Sequence, residues 1–176
     1  MQDILIVIDM QKDFTTGALA NADAAGMIDA LAAHISGFCG RVIFTRDTHG
    51  ADYLLSMEGK HLPVPHCIEG TAGHEIEPKL LSAAEENPHA TVEIMDKPNF
   101  GAGTHLYEKI LAGETPRKIF FTGTCTDICV VSNALILKSL LPEIPMAVHA
   151  DLCAGLTKEK HEAALSVMQS CQVEIL

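Results

Sequence analysis

Short apolar runs alternate with helical stripes from one end of the chain to the other. Asp3–Asp9 (DILIVID) is apolar at every interior position, the pattern of a strand covered on both faces. Ala24–Phe38 carries Met27, Ile28, Leu31, Ile35 and Phe38 at helical spacing and predicts a helix. Arg41–Arg46 (RVIFTR) predicts a second strand. Asp47–Gly73 follows, rich in Gly, Pro and His and without a sustained period. Pro78–Glu86 predicts a short helix, Thr91–Asp96 a third strand, Thr104–Leu111 a short helix, Lys118–Gly123 a fourth strand and Asp127–Leu141 a long apolar helix. Met146–Ala150, Lys158–Ser170 and Gln172–Ile175 complete the series as strand, helix and terminal strand.

Regular alternation of strand and helix implies an α/β protein, a three-layer doubly wound sheet, mostly parallel, for which the strand order 3-2-1-4-5-6 is expected. No linker or change of composition divides the chain, so residues 1–176 are expected to form one domain. In such a sheet ligands bind outside the carboxyl ends of the strands, where the order reverses. That crevice lies between the first and fourth strands. Asp9 ends the first and Cys129 follows the fourth, so the topology brings both to one place.

Composition narrows the classes. The 176 residues are 48% hydrophobic, enough for a full core, and the net charge is −11 with no basic cluster. A nucleic-acid partner is not expected, because phosphate neutralisation needs clustered Lys and Arg. No apolar run approaches the roughly 20 residues that span a bilayer, and no basic leader precedes the first strand, so neither membrane nor export is expected. Six cysteines without an export signal read as reduced thiols in the cytoplasm. The apolar helices leave a homo-oligomer open.

Cys129 falls about two residues inside a helix opened by Thr126 or Asp127, where the helix dipole favours a thiolate. Lys97 ends the third strand and would lower the thiol pKa further, while Asp9 could carry the proton. The backbone N–H groups of Cys125 and Cys129 are candidates for an oxyanion hole. In the long loop, Asp47 and His49 form an Asp-x-His pair, with Glu58, His61 and His66 downstream and Pro63 and Pro65 stiffening the approach of His66. Carboxylates with imidazoles suit zinc, iron or manganese. The same spacing occurs in polar surface loops, and the pattern alone leaves both readings open.

Five motifs stand in a recognisable order: IVIDMQKDF at Ile6–Phe14, RDTH at Arg46–His49, PVPHCIEGTAG at Pro63–Gly73, DKPNFGA at Asp96–Ala102 and GTCTDICV at Gly123–Val130. Together they resemble the isochorismatase-like cysteine hydrolase superfamily, and within it the nicotinamidases. The resemblance implies a catalytic triad of Asp9, Lys97 and Cys129, and a cis peptide at Thr124–Cys125 beside an oxyanion hole of Cys125 and Cys129. It implies one divalent metal, zinc before iron or manganese, on Asp47, His49 and His66, with Glu58 or His61 as fourth ligand. No organic cofactor is implied. The expected reaction is hydrolysis of nicotinamide to nicotinate and ammonia through a Cys129 thioester, with Phe14 beside the ring, in pyridine-nucleotide salvage. An N-carbamoyl or ureido compound or an isochorismate-like vinyl ether is the alternative substrate. One departure stands out: many nicotinamidases carry an aromatic, often Trp, before the histidine of the loop, where this chain has Leu62 or Pro63.

Overall fold

The first apolar run forms strand β1 (Asp3–Ile8), central in the sheet of the computed structural model, which describes residues 1–176 apart from the side chain of Leu111. Alternate side chains of a strand face opposite ways. Ile4, Ile6 and Ile8 enter one core, and Leu5 and Val7 enter the other. Both faces of β1 are therefore dry, which explains its unbroken apolar interior.

The other strands are β2 (Gly40–Asp47), β3 (Ala90–Lys97), β4 (Ile119–Thr124), β5 (Met146–Ala154) and β6 (Glu174–Ile175). They pair in the order β3-β2-β1-β4-β5-β6, every neighbouring pair parallel, as the sequence leads one to expect. The helices are α1 (Lys12–Thr15), α2 (Ala22–Gly26), α3 (Ile28–Ser36), α4 (Met57–His61), α5 (Pro78–Glu85), α6 (Gly103–Leu111), α7 (Val131–Leu140) and α8 (Lys158–Ser170). Apolar side chains of α2, α3 and α5 pack in the core with Leu5 and Val7; those of α6, α7 and α8 pack in the core with Ile4, Ile6 and Ile8.

Two predicted helices differ in detail. The stripe over Ala24–Phe38 is broken into α2 and α3 at Gly26–Met27. Asn21 caps α2, its side chain accepting from the backbone N–H of Asp23 and Ala24, and Gly26 is a weak helix former at the break. The stripe over Asp127–Leu141 begins instead as a π-helical turn, Thr126–Val130, that runs into α7. Neither Thr126 nor Asp127 caps it. The Thr126 hydroxyl lies 2.8 Å from His161 Nδ1, and Asp127 Oδ1 accepts from Leu156 N at 2.9 Å. The Cys125 carbonyl holds the turn, accepting from Ile128 N and Val130 N, each at 3.1 Å.

The strand ends at the switch point come unusually close. Gly123 has φ +116°, and a Cβ there would lie 2.0 Å from the carbonyl oxygen of Ile8. Only glycine lets β4 pass β1 at this distance. The next peptide, Thr124–Cys125, is cis, and Asp9 has φ 49° in the left-handed region.

Candidate active site

The ends of β1, β3 and β4 deliver three side chains to this crevice. Asp9 follows β1 and is fully buried; its Oδ1 accepts from the Thr45 hydroxyl at 2.6 Å. Lys97 closes β3, and its Nζ lies 2.7 Å from Asp9 Oδ2 and 3.6 Å from Cys129 Sγ, on the turn after β4. The ammonium also meets Asp47 Oδ1 at 3.3 Å and donates to Asn99 O at 3.0 Å. The Asp9–Lys97 contact is a fully buried ion pair.

Burial pushes the Asp9 carboxyl above its ordinary range, against the pull of Lys97 and with help from Asp47. Burial works to discharge Lys97, but Asp9, Cys129 and Asp47 outweigh it and hold the ammonium charged. Lys97 does act to lower the Cys129 pKa, as expected, but the net shift runs the other way. Burial raises that thiol well above its ordinary range, Asp9 adds to the rise, and Lys97 only opposes it. Burial thus favours the protonated forms of both Cys129 and Asp9, which meet in the same crevice.

Asp47 ends β2, and His49, Glu58 and His66 come from the loop beyond it. One ligand atom from each of the four lies within 4.8 Å of all the others. His49 Nε2 is 2.9 Å and His66 Nε2 3.5 Å from Asp47 Oδ2; both nitrogens are 3.7 Å from Glu58 Oε1. His66 Nδ1 donates to Val64 O at 2.8 Å, which leaves the Nε2 lone pair facing the cluster. Burial and the nearby Asp47 charge push the Glu58 carboxyl upward. Two converging carboxylates and two imidazoles suit a divalent cation. His61 does not join them: it is exposed, and its Nδ1 donates to Met57 O. Between the two candidates for fourth ligand, the geometry selects Glu58.

Several supporting residues escape sequence reasoning. Gln11 donates to the carbonyls of Asp47 and His74 and accepts from Asp47 N, fixing the backbone of Asp47 in two bonds and tying it to His74 by the third. Tyr53 packs its ring 4.7 Å from that of His49 and 5.0 Å from that of His66, with its hydroxyl donating to Leu62 O. Asn133 accepts from Ala102 N and donates to the carbonyls of Phe100 and Cys129. The available signal was polarity in otherwise apolar surroundings, since buried polar groups must find partners. Over the site opens a cavity of about 510 Å³ lined by Cys129 and by Asp47, Glu58 and His66, with Phe14 in its wall 5.6 Å from the His66 ring.

Known proteins share this arrangement of strands over the whole length. The crystal structure of nicotinamidase/pyrazinamidase PncA from Bacillus subtilis superposes with a TM-score of 0.85 at 30% identity, covering 99% of each chain. The pyrazinamidase of Pyrococcus horikoshii, solved in complex with zinc, gives a TM-score of 0.77 at 26% identity, over 100% of this chain and 99% of its own. In sequence, the nicotinamidase/pyrazinamidase of Mycobacterium tuberculosis is 25% identical over 188 residues, 98% of this chain and 97% of its own. Residues 3–176 match the isochorismatase domain, and the chain belongs to the isochorismatase family.

Proposed function

We propose that residues 1–176 act as one metal-assisted cysteine amidohydrolase domain that converts nicotinamide and water to nicotinate and ammonia. The observation that carries this is a single cavity lined by Cys129 and by Asp47, Glu58 and His66, with Lys97 linking Asp9 to Cys129 behind it. The nicotinamidase/pyrazinamidase relatives support the same chemistry.

Cys129 Sγ attacks the carboxamide carbon while its proton passes to Asp9. The backbone N–H groups of Cys125 and Cys129 receive the charge developing on the oxygen. Asp9 returns the proton to the departing nitrogen, the C–N bond breaks, and ammonia leaves a thioester on Cys129. Asp9 then takes a proton from water as it adds to the thioester, and returns it to the cysteine as the acid is released. Lys97 keeps Asp9 oriented throughout, and Phe14 flanks the ring. Asp47, His49, Glu58 and His66 would hold a divalent ion, which when bound would supply electrophilic polarisation beside the ring; the mixed donors favour zinc and admit iron or manganese.

Charge argues against the carbamoyl amino acids and isochorismate-like acids as substrates. Among the described residues, no lysine or arginine lines the cavity. Lys97 is already paired with Asp9, and two carboxylates balance a divalent ion, so nothing is left over for a substrate carboxylate. The six cysteines are all free, which supports a reducing, cytoplasmic setting. No helix among the described residues is long and apolar enough to cross a membrane.

The test is ammonia release from nicotinamide by zinc-loaded protein. The wild type is expected to turn over, with Cys129→Ala inactive and His49→Ala reduced by on the order of tenfold or more in metal affinity or rate. Silence on nicotinamide with turnover of a carbamoyl compound would overturn the substrate assignment.

A further inference from the structure

We propose that the outer half of the cavity is a subsite for an apolar ring substituent, so that short-alkyl derivatives of the heteroaromatic carboxamide are better substrates than the bare ring. The inference rests on the amidohydrolase reading and deepens it to a substrate class.

Exposure rises steeply across the cavity. Asp47, His66 and Cys129 form the floor at 3%, 2% and 6%, whereas Leu62, Phe100 and Leu156 are 37%, 46% and 52% exposed and form the mouth. A single ring with a carboxamide reaching Cys129 occupies the floor. The volume of about 510 Å³ is that of a site for a larger ligand.

The mouth is also short of polar partners. Asn21 lines it, but its amide donates to Gly155 O at 2.8 Å and its oxygen caps α2. The Thr124 hydroxyl donates to Ala154 O at 3.1 Å. A polar substituent placed there would lose water and find little beyond the second N–H of the Asn21 amide to replace it, whereas an alkyl group would gain from leaving water.

Each mouth residue is held by a side chain from another element. Tyr53 donates to Leu62 O at 2.9 Å, Asn133 donates to Phe100 O at 3.1 Å, and Asp127 accepts from Leu156 N at 2.9 Å. Three exposed apolar side chains on anchored backbone make a preorganised wall, and binding there costs little ordering.

The experiment compares kcat/KM for nicotinamide carrying hydrogen, methyl, ethyl or propyl on the ring carbon meta to the carboxamide. A rise of roughly two- to fourfold per carbon is expected while the chain remains against the wall. The increment per carbon should shrink in Leu156→Ser and in Phe100→Ala, whatever happens to the parent rate. A flat or falling series in the wild type, or an unchanged increment in both variants, overturns the inference. If the wild type hydrolyses none of these amides, the amidohydrolase reading fails separately. Calorimetric binding of the same series to Cys129→Ala then decides the subsite: tightening with each carbon supports it, and equal or weakening affinity overturns it.

Discussion

Lys97 has its whole side chain out of water, and two carboxylates, a backbone carbonyl and a thiol sulfur surround its ammonium. Removing the charge while keeping the bulk would leave Asp9 and Asp47 without their shared counter-charge in a dry pocket. In Lys97→Met, Asp9 is expected to take up a proton and lose its use as a base. Turnover should fall by about a hundredfold to ten-thousandfold, and urea unfolding should show a loss of roughly 3–5 kcal/mol. A variant as stable and as active as the wild type would refute the roles given to both residues. Asp9, Lys97 and Cys129 are legible in the sequence because apolar runs show where strands stop, and these residues stand at or just beyond those ends. Gln11, Tyr53 and Asn133 are not, because their partners are set by the folded loops: Gln11 reaches Asp47 and His74, Tyr53 reaches His66, and Asn133 reaches Phe100 and Ala102.

At the scale of elements, the strands follow from hydrophobic period and their order from the doubly wound class that the alternation implies, while the loop between β2 and α5 follows from neither. It folds as two turns of 3-10 helix, Tyr53–Leu55 and Ala72–His74, around α4, all too short for a period to show. Ser56 caps α4 by accepting from Gly59 N; Glu58 on that helix joins the cluster, while His61 is tied back to Met57 O. The packing of α3 on β4 and β5 carries its own pH dependence. His34 of α3 places its ring 4.5 Å from that of His149 on β5, which stacks on Phe120 of β4. Phe38 packs against both His34 and Phe120, and Lys118, paired with Glu174 of β6, lies over Phe120. His34 Nε2 is buried without a partner. Burial lowers the pKa of His34, and burial with His34 and Lys118 lowers that of His149, from an ordinary value of 6.5. A group depressed in the folded state stabilises fully above its unfolded value and costs stability as pH falls through the folded one. Between about pH 7.5 and about pH 5.5, wild-type stability should therefore drop more than that of the double variant His34→Leu, His149→Phe, other histidines being common to both. Parallel losses in urea titrations of the two proteins would refute this.

For the molecule as a whole, the net charge of −11 matters because the site itself is close to balanced. Asp9 faces Lys97, and Asp47 with Glu58 would balance the proposed divalent ion, so the charge left to act on a ligand is spread over the surface. Such a field leaves a neutral amide unaffected and repels an anionic acid. The reaction proposed here converts the first into the second, so the protein's own charge favours departure of the product. Salt screens this field, the Debye length falling from about 30 Å at 0.01 M to about 10 Å at 0.1 M. Inhibition by added nicotinate should therefore strengthen as ionic strength rises over that range, while KM for nicotinamide stays constant. The direction separates this from direct pairing of the acid with a surface cation, which salt would weaken. Nicotinate inhibition that weakens with salt, or a KM that shifts in step with it, would show that local contacts rather than overall charge govern release.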